Sequence, residues 1–271
     1  MGGSLKRVVT GIILIPIVLL TVLYAPVFWM FAFSSVICLI ALLEFSTLSV
    51  LGIRDSVFDA IGVVAGVMVP FAGFIFGPRV YAPYLIICSF LFFLFCMLRK
   101  RDLRDASIDV AYKTFSLIYI AVPLSYLAFI SGLANGRSWI ILLFLIIWAN
   151  DTFAYFAGRS LGKTRLLESV SPKKTVEGAV AGLLGGVVVA IIFDYYAQLG
   201  MGPLISATVA VAAGFIGMTG DLAESMLKRG AGVKDSGTII PGHGGLLDRI
   251  DSLIFPLPAL YYFIIWQMQA Y

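Results

Sequence analysis

The residues of this chain that could do chemistry are concentrated near its end, at positions 228–251. This stretch, KRGAGVKDSGTIIPGHGGLLDRID, contains three aspartates, four basic residues, six glycines and the only histidine of the protein, His243. Carboxylates can bind a divalent cation, basic side chains bind phosphate, and glycine-rich backbone exposes N–H groups to anions. The combination is typical of a site that handles polyphosphates.

Acidic residues just before this stretch and at its end suggest a metal site. Asp221, Glu224 and Ser225 are spaced i, i+3, i+4, so they share one face of a helix. Asp248 and Asp251 share another helix if it starts near residue 246, after the glycine pair 244–245 has turned the chain. Capping and balance of the helix dipole would also explain Asp248 and Asp251.

A second polar stretch, RSLGKTRLLESVSPKKT at about 159–175, has phosphate-binding features of its own. We expect Ser171 to cap the following helix and Pro172 to occupy its first turn. A helix N-terminus offers N–H donors to an anion, so the next residues are candidates for substrate binding: Lys173, Lys174 and Thr175. No GxxxxGK[ST] motif is present, which excludes a P-loop enzyme.

The elements that position these residues are membrane helices. Of 271 residues 61% are hydrophobic, and the mean hydropathy is +1.01. This composition excludes an ordinary soluble domain and predicts an all-α, polytopic integral membrane protein. About nine spans are predicted, at 8–24, 27–48, 57–77, 80–98, 110–132, 139–158, 176–194, 203–221 and 251–269.

Two of these spans carry an acid near the end that leads into a long polar connection. Asp151 precedes the connection at about 159–175, and Asp221 precedes the connection at about 222–250. An acid at membrane depth is costly unless it is paired or binds a cation, so both are functional candidates, although pairing with arginine would also explain them.

The basic residues indicate the orientation. With nine spans, 16 of the 19 lysines and arginines fall on one side, and only Arg79 and Arg137 fall clearly on the other. The positive side faces the cytoplasm, so we expect the N-terminus and both long connections there, in the inner, cytoplasmic membrane. We divide the chain into N-terminal transmembrane helices, 1–105, and a transmembrane catalytic region, 106–271.

The stretch from Ser225 to Asp251 resembles the signature of the phosphatidate cytidylyltransferase family. That signature runs S-x-apolar-K-R, four residues, K-D, then H-G-G-apolar-x-D-R-apolar-D, and this sequence matches it without departure. The resemblance extends to NDTFAYFAGRSLGK, SPKKTVEG and GDLAES and covers about 140–255. The N-terminal half matches only as apolar helices.

The resemblance implies that CTP and phosphatidic acid give CDP-diacylglycerol and pyrophosphate with Mg²⁺, in a membrane enzyme that is commonly dimeric. A second cation is left open, and no nucleic acid partner is expected. The metal ligands would be Asp221 and Asp248 first, then Asp251 and Asp151. Phosphates would be held by basic residues and by the histidine: Lys173, Lys174, Lys228, Arg229, Lys234, Arg249 and His243. In isolation, His243 fits a hydrogen-bonding or capping residue better than a base.

Other classes of protein remain as alternatives. A CDP-alcohol phosphotransferase requires a D-x-x-x-D spacing, whereas this chain has D-x-x-D at 248–251. A polyprenol kinase that uses CTP is closer, but the complete signature argues against it. An ion or solute transporter would show inverted repeats and acids near mid-bilayer, and neither is evident.

Overall fold

The computed structural model of the chain describes residues 3–48, 55–99, 102–240 and 244–270. These residues are almost entirely helical, which confirms the predicted all-α class. The helices are α1 Gly3–Tyr24, α2 Val27–Thr47, α3 Ser56–Phe76, α4 Tyr81–Leu98, α5 Leu103–Ser116, α6 Val122–Ser131, α7 Gly136–Leu161, α8 Val176–Ala197, α9 Gly202–Gly230, α10 Leu247–Ile254 and α11 Pro256–Ala270. A 3-10 turn, Pro78–Val80, precedes α4, and a π-helical turn, Leu117–Ala121, joins α5 to α6.

Eight helical runs in the described part of the chain are long and apolar enough to cross a membrane, and they correspond to the second to ninth predicted spans. The first predicted span lies in α1, in which Ile15–Tyr24 is a shorter apolar stretch. Large apolar side chains such as Leu204, 81% exposed, and Ile86, 70% exposed, point outward. Such surfaces suit lipid, so the protein is a multi-pass membrane protein.

The two long polar connections differ from the prediction. Helix α9 continues to Gly230, so the predicted connection 222–250 is helical over its first nine residues. The segment LAESMLK consists mainly of good helix formers, and the chain turns only at Gly232, whose φ is +71°. The connection 159–175 contains a two-stranded antiparallel hairpin, β1 Arg165–Leu167 and β2 Ser171–Thr175, which the sequence did not predict.

The described residues pack into two compact units. The first unit comprises Met1–Phe129 and Asp235–Asp248, and the second comprises Ile130–Lys234 and Arg249–Tyr271. The predicted division at 105 and 106 falls inside α5. It was a division by function, and packing does not test it, so it stays a prediction.

The first unit has an apolar core formed by α3, α4 and α5. Phe58, Phe92 and Val110 are almost completely buried there, and the Phe58 and Phe92 rings meet edge to face at 5.6 Å. Lys113 of α5 forms an ion pair with Asp59 of α3. Gly62 allows this pairing, because a Cβ at Gly62 would lie 2.8 Å from the Lys113 Cδ.

In the second unit α7 packs along α8, and α8 packs along α9. Glycines of α8 allow the close approach, since a Cβ on Gly182 would lie 2.7 Å from the Asn150 carbonyl oxygen of α7. The Asn150 side chain in turn donates a hydrogen bond to the Gly214 carbonyl of α9 at 3.4 Å. These contacts fix the part of α7 that carries the next residue, Asp151.

Candidate active site

A charged cavity lies in the second unit, lined by the C-terminal half of α7, the hairpin, the start of α8 and part of α9. Its volume is about 650 Å³. Tyr155 and Thr175 line it. Two acidic and four basic residues also line it: Asp151, Asp221, Arg159, Arg165, Lys173 and Lys174. A cavity with an excess of basic side chains and a few carboxylates has the electrostatics that a polyphosphate requires.

Asp221 is at the centre of the polar contacts in this cavity. Its Oδ2 atom accepts a hydrogen bond from the Lys174 Nζ at 2.6 Å, and both side chains are slightly more than one quarter exposed. The Ser225 hydroxyl lies 3.5 Å from the Asp221 Oδ1 atom, one helical turn further along α9. The predicted sharing of one helix face by Asp221 and Ser225 is therefore confirmed.

Further charges surround Asp221 in the same unit. Asp151 interacts electrostatically with Asp221, and also with Lys174 and Arg249. Asp251 interacts with Asp221 as well, and with Lys228. The structure thus gathers three of the four predicted metal ligands and three predicted phosphate-binding residues into one electrostatic cluster.

Small residues of α9 bring Asp251 to this cluster. A Cβ on Gly217 would lie 2.7 Å from the Ser252 carbonyl, and one on Gly220 would collide with the Asp251 carbonyl. Helix α9 therefore lies directly against the backbone of residues 251–252. The buried Asp251 carboxylate accepts a hydrogen bond from the Ser252 N–H at 2.7 Å.

Lys228 and Arg229 have protein partners. Lys228 is buried and forms an ion pair with Glu224, one turn earlier on α9. The Arg229 Nη1 atom donates to the Val233 carbonyl at 3.1 Å and so stabilises the turn that follows the helix. Lys234 is exposed, and His243 lies outside the described residues. Phosphate binding by these four residues stays a prediction.

The hairpin carries Lys173 and Lys174, and here the predicted local structure was wrong. Ser171 does not cap α8, and Pro172 is not in its first turn, because both belong to β2. Thr175 is the N-cap instead, and its hydroxyl accepts from the Gly178 N–H at 3.2 Å. The two lysines therefore precede the helix N-terminus, and β2 presents them to the cavity.

Glu177 fixes the base of the hairpin. Its carboxylate accepts hydrogen bonds from the backbone N–H groups of Lys163 and Thr164, both at 3.1 Å. These N–H groups follow the end of α7, so Glu177 ties the start of the connection to the first turn of α8. The sequence did not reveal these partners of Glu177.

The signature segment 235–248 belongs to the first unit, with Asp248 at its end. Gly244, with φ +84°, makes the predicted turn before α10, which carries both Asp248 and Asp251. The Asp248 Oδ2 atom accepts from the Gly245 N–H at 2.9 Å and from the Ser236 N–H and hydroxyl, both at 3.0 Å. The Gly245 N–H, which we expected to be open to phosphate, is thus used within the protein.

Glu44 contacts this segment, and the sequence did not predict that contact. It lies on α2, is 3% exposed, and accepts hydrogen bonds from the Leu246 N–H at 2.9 Å and the Leu247 N–H at 2.8 Å. A lone acid inside an apolar span was the available signal, since such a residue needs a partner.

The cavity fits a divalent cation in part. Asp151 and Asp221 both line it, and their mutual repulsion would be relieved by a cation that binds both. Mg²⁺ often uses only one or two carboxylates and completes its shell with water and phosphate oxygens. Among the described residues, no group of three or more Asp, Glu, His or Cys side chains is arranged to hold a metal ion. The four-carboxylate cage stays a prediction.

The fold and the cavity define a class, a polytopic membrane protein with a cavity lined by both acidic and basic side chains. The chain belongs to the cytidylyltransferase family, whose sequence profile matches residues 5–266. It is similar to proteins named phosphatidate cytidylyltransferase from Staphylococcus aureus, with 34% identity over 94% of this chain and 96% of that protein, and from Staphylococcus haemolyticus, with 34% identity over 84% and 86%. A Staphylococcus epidermidis protein of the same name is 39% identical over 65% of this chain and 66% of its own length.

Proposed function

We propose that this protein transfers the cytidylyl group from CTP to phosphatidic acid, and so forms CDP-diacylglycerol and pyrophosphate for phospholipid synthesis. The observation that carries the proposal is the cavity in which Lys174 contacts Asp221 among three further basic residues, within a chain of the cytidylyltransferase family. A membrane protein that joins a nucleotide to a lipid phosphate needs such a polar cavity among its apolar helices.

The reaction is a displacement at phosphorus. An oxygen of the phosphatidic acid phosphate bonds to the α-phosphorus of CTP, and the bond between that phosphorus and the bridging oxygen to the β-phosphate breaks, so pyrophosphate leaves with the electron pair. The attacking phosphate is already an anion, so no general base is needed. The barrier lies in bringing anions together and in stabilising the leaving group.

The basic side chains address this barrier. Lys173, Lys174, Arg159 and Arg165 line the cavity and would hold the phosphates of CTP, while Arg249 interacts with Asp151 beside them. Their positive charge offsets the repulsion between the substrates and becomes more valuable as charge develops on pyrophosphate. Lys228, Arg229, Lys234 and His243 complete the proposed set of phosphate contacts.

We also propose dependence on Mg²⁺, with Asp221 and Asp151 as the ligands that the cavity supports best and Asp248 and Asp251 as further candidates. When bound, the ion would neutralise phosphate oxygens and the developing charge of the leaving group. Asp221 and Asp151 would orient it from α9 and α7, and Lys174 supplies a counter-charge to Asp221.

Two properties complete the proposal. The positive-inside bias supports a cytoplasmic N-terminus and a cytoplasmic face for the cavity in the cell membrane.

The family resemblance supports a homodimer, for which mass measurement and cross-linking in detergent provide a direct test. A monomer that retains full activity would contradict the dimer and leave the proposed reaction intact.

The reaction is tested with purified protein, phosphatidic acid and CTP that carries a phosphorus label at either the α- or the γ-position. Cytidylyl transfer moves the α-label into lipid and releases the γ-label as pyrophosphate. Transfer of the γ-label into lipid would identify a kinase and overturn the proposal. Omission of phosphatidic acid is the control, and titration with EDTA followed by Mg²⁺ tests the metal.

The alternative of a transporter calls for a separate measurement. Protein reconstituted into vesicles should show no ion or solute flux that depends on Asp151 and Asp221. Flux that is lost in Asp221→Asn, in a protein without label transfer, would favour the transporter.

A further inference from the structure

The proposed reaction gives Glu44 no role, although Glu44 is among the most completely buried acids described. It lies on α2 in a run of apolar residues and is 3% exposed. A buried carboxylate at membrane depth is unfavourable unless hydrogen bonds compensate for its lost hydration. The partners of Glu44 therefore indicate its purpose.

These partners belong to one short segment far along the chain. The Leu246 N–H donates to the Oε1 atom at 2.9 Å and the Leu247 N–H donates to the Oε2 atom at 2.8 Å, across 202 and 203 residues of sequence. Both N–H groups lie at the start of α10, where the helix itself offers no acceptors. Glu44 thus caps α10 from α2.

The same carboxylate is linked to Asp248. The Ser236 hydroxyl lies 3.3 Å from the Glu44 Oε2 atom and 3.0 Å from the Asp248 Oδ2 atom, so it bridges the two carboxylates. The Asp248 Oδ2 atom also accepts from the Gly245 N–H, immediately before the two leucines. A displacement of Glu44 would therefore reach Asp248 through both Ser236 and the turn at 244–247.

One glycine between Ser236 and the turn is explained by this contact. The three atoms nearest to a Cβ built on Gly237 would all be Glu44 atoms, Oε1 at 2.6 Å, Cδ at 2.9 Å and Cγ at 2.9 Å. The Glu44 carboxylate cannot yield without lengthening its hydrogen bonds to Leu246 and Leu247. Gly237 therefore makes room for Glu44.

We propose that Glu44 is a positioning residue for the described parts of the signature segment, 235–240 and 244–248. It holds the start of α10 and, through Ser236 and the turn, sets the orientation of Asp248. The effect on turnover rests on the proposed function, whereas the effect on the segment itself does not.

The first test is a double-mutant cycle between Glu44 and Gly237. Gly237→Ala alone should lower kcat by about tenfold or more with little change in KM for CTP, because the added methyl group displaces the Glu44 carboxylate. In a Glu44→Ala background the same change should cost less than about twofold, since the colliding atoms are gone. Independent, multiplicative losses would overturn the proposal.

The second test measures hydrogen exchange and needs no substrate. In Glu44→Ala the amides of a peptide spanning 244–250 should exchange about tenfold faster or more, and Glu44→Gln, which keeps one acceptor oxygen, should fall between this variant and the parent. The matched control is Asp59→Asn, which breaks an ion pair in the same unit. It should lower Tm and leave the exchange of 244–250 and kcat unchanged.

The outcomes are distinguishable. Unchanged exchange at 244–250 in folded Glu44→Ala or Glu44→Gln would overturn the positioning role. Suppose that Glu44→Ala exchanges faster than the parent protein, and that the parent fails to transfer the α-label. This result would support the positioning role and overturn the proposed reaction. Equal effects of Asp59→Asn and Glu44→Ala on the segment would reduce Glu44 to a general contributor to stability and also overturn the proposal.

Discussion

Lys174 donates a hydrogen bond to Asp221 across 2.6 Å, although 47 residues separate them in the chain. The contact joins the hairpin after α7 to the polar end of α9 and places both residues on one cavity. Each charge is neutralised by the other before any substrate arrives. An arriving polyphosphate competes with Asp221 for the lysine, which links occupation of the cavity to the state of the carboxylate.

The pair Lys174 and Asp221 should act as a unit in turnover. Lys174→Met and Asp221→Asn should each lower kcat/KM for CTP by about 100-fold, because charge is lost where it develops in the transition state. The double variant should lose clearly less than the product of the two, since each single change leaves the other charge unbalanced.

Lys163→Met provides the matched control for this pair, because Lys163 lies in the same connection but does not line the cavity. It should retain nearly full kcat/KM. If the two site variants behaved independently at several Mg²⁺ concentrations, Lys174 and Asp221 would have separate tasks.

Asp248→Asn should preserve the fold and abolish most turnover. The amide oxygen can occupy the place of Oδ2 and keep the bonds from Ser236 and Gly245, so Tm in detergent should change little. A proposed cation ligand would lose its charge, and a loss of about 100-fold or more in kcat is expected. Near-normal turnover at low Mg²⁺ would remove Asp248 from the set of ligands.

Two glycines of α8 should differ in their tolerance of a methyl group. A Cβ on Gly182 would lie 2.7 Å from the backbone oxygen of Asn150, whereas one on Gly186 would lie 3.4 Å from Ile146 Cγ2. Gly182→Ala should therefore destabilise the protein by about 1–3 kcal/mol. Gly186→Ala should be neutral or stabilising, because alanine favours the helix by up to about 1 kcal/mol.

Thermal unfolding in detergent distinguishes these two variants, with the parent protein measured alongside. The loss in Gly182→Ala should also appear in kcat/KM, since the colliding atom belongs to the residue before Asp151. Equal Tm values for both variants would mean that α7 and α8 adjust their distance freely.

Cysteine labelling should reveal the orientation of the chain. Cys38, Cys88 and Cys96 are buried thiols that form no disulfide, so they should not react with a membrane-impermeant maleimide. Thr238→Cys, on the predicted cytoplasmic side, should be labelled only after the membrane is opened. Ala134→Cys, on the opposite side, should be labelled in intact cells, and the reverse result would invert the topology.

The sequence predicted the class of fold and the helix face shared by Asp221 and Ser225 because these signals were local. Apolar runs set the spans, and the i, i+4 spacing placed Asp221 and Ser225 on one face of α9. The contact of Lys174 with Asp221 brings SPKKT, at 171–175, beside one of the two acids that precede the long connections.

Non-local contacts account for what the sequence did not reveal. Ser171 and Pro172 have the residue types of a helix start, yet pairing with Arg165–Leu167 makes them part of a strand. Charged residues after Asp221 indicated a loop, although the helix formers among them extend α9 to Gly230. The partners of Glu44 lie about 200 residues away, beyond the reach of any local pattern.

The length of α9 has a consequence for how a lipid would meet the cavity. Its 29 residues extend about 43 Å at 1.5 Å per residue, whereas a bilayer core is about 30 Å thick. If α9 starts at one edge of the bilayer core, Asp221 lies close to the other edge, and the last turns, with Ser225 and Lys228, extend beyond it toward the layer in which lipid phosphates reside. The length of α9 thus sets the depth of these residues relative to the bilayer. A phospholipid can then present its headgroup to the cavity while its acyl chains stay in the bilayer. Only the water-soluble substrate has to diffuse to the site from the aqueous phase.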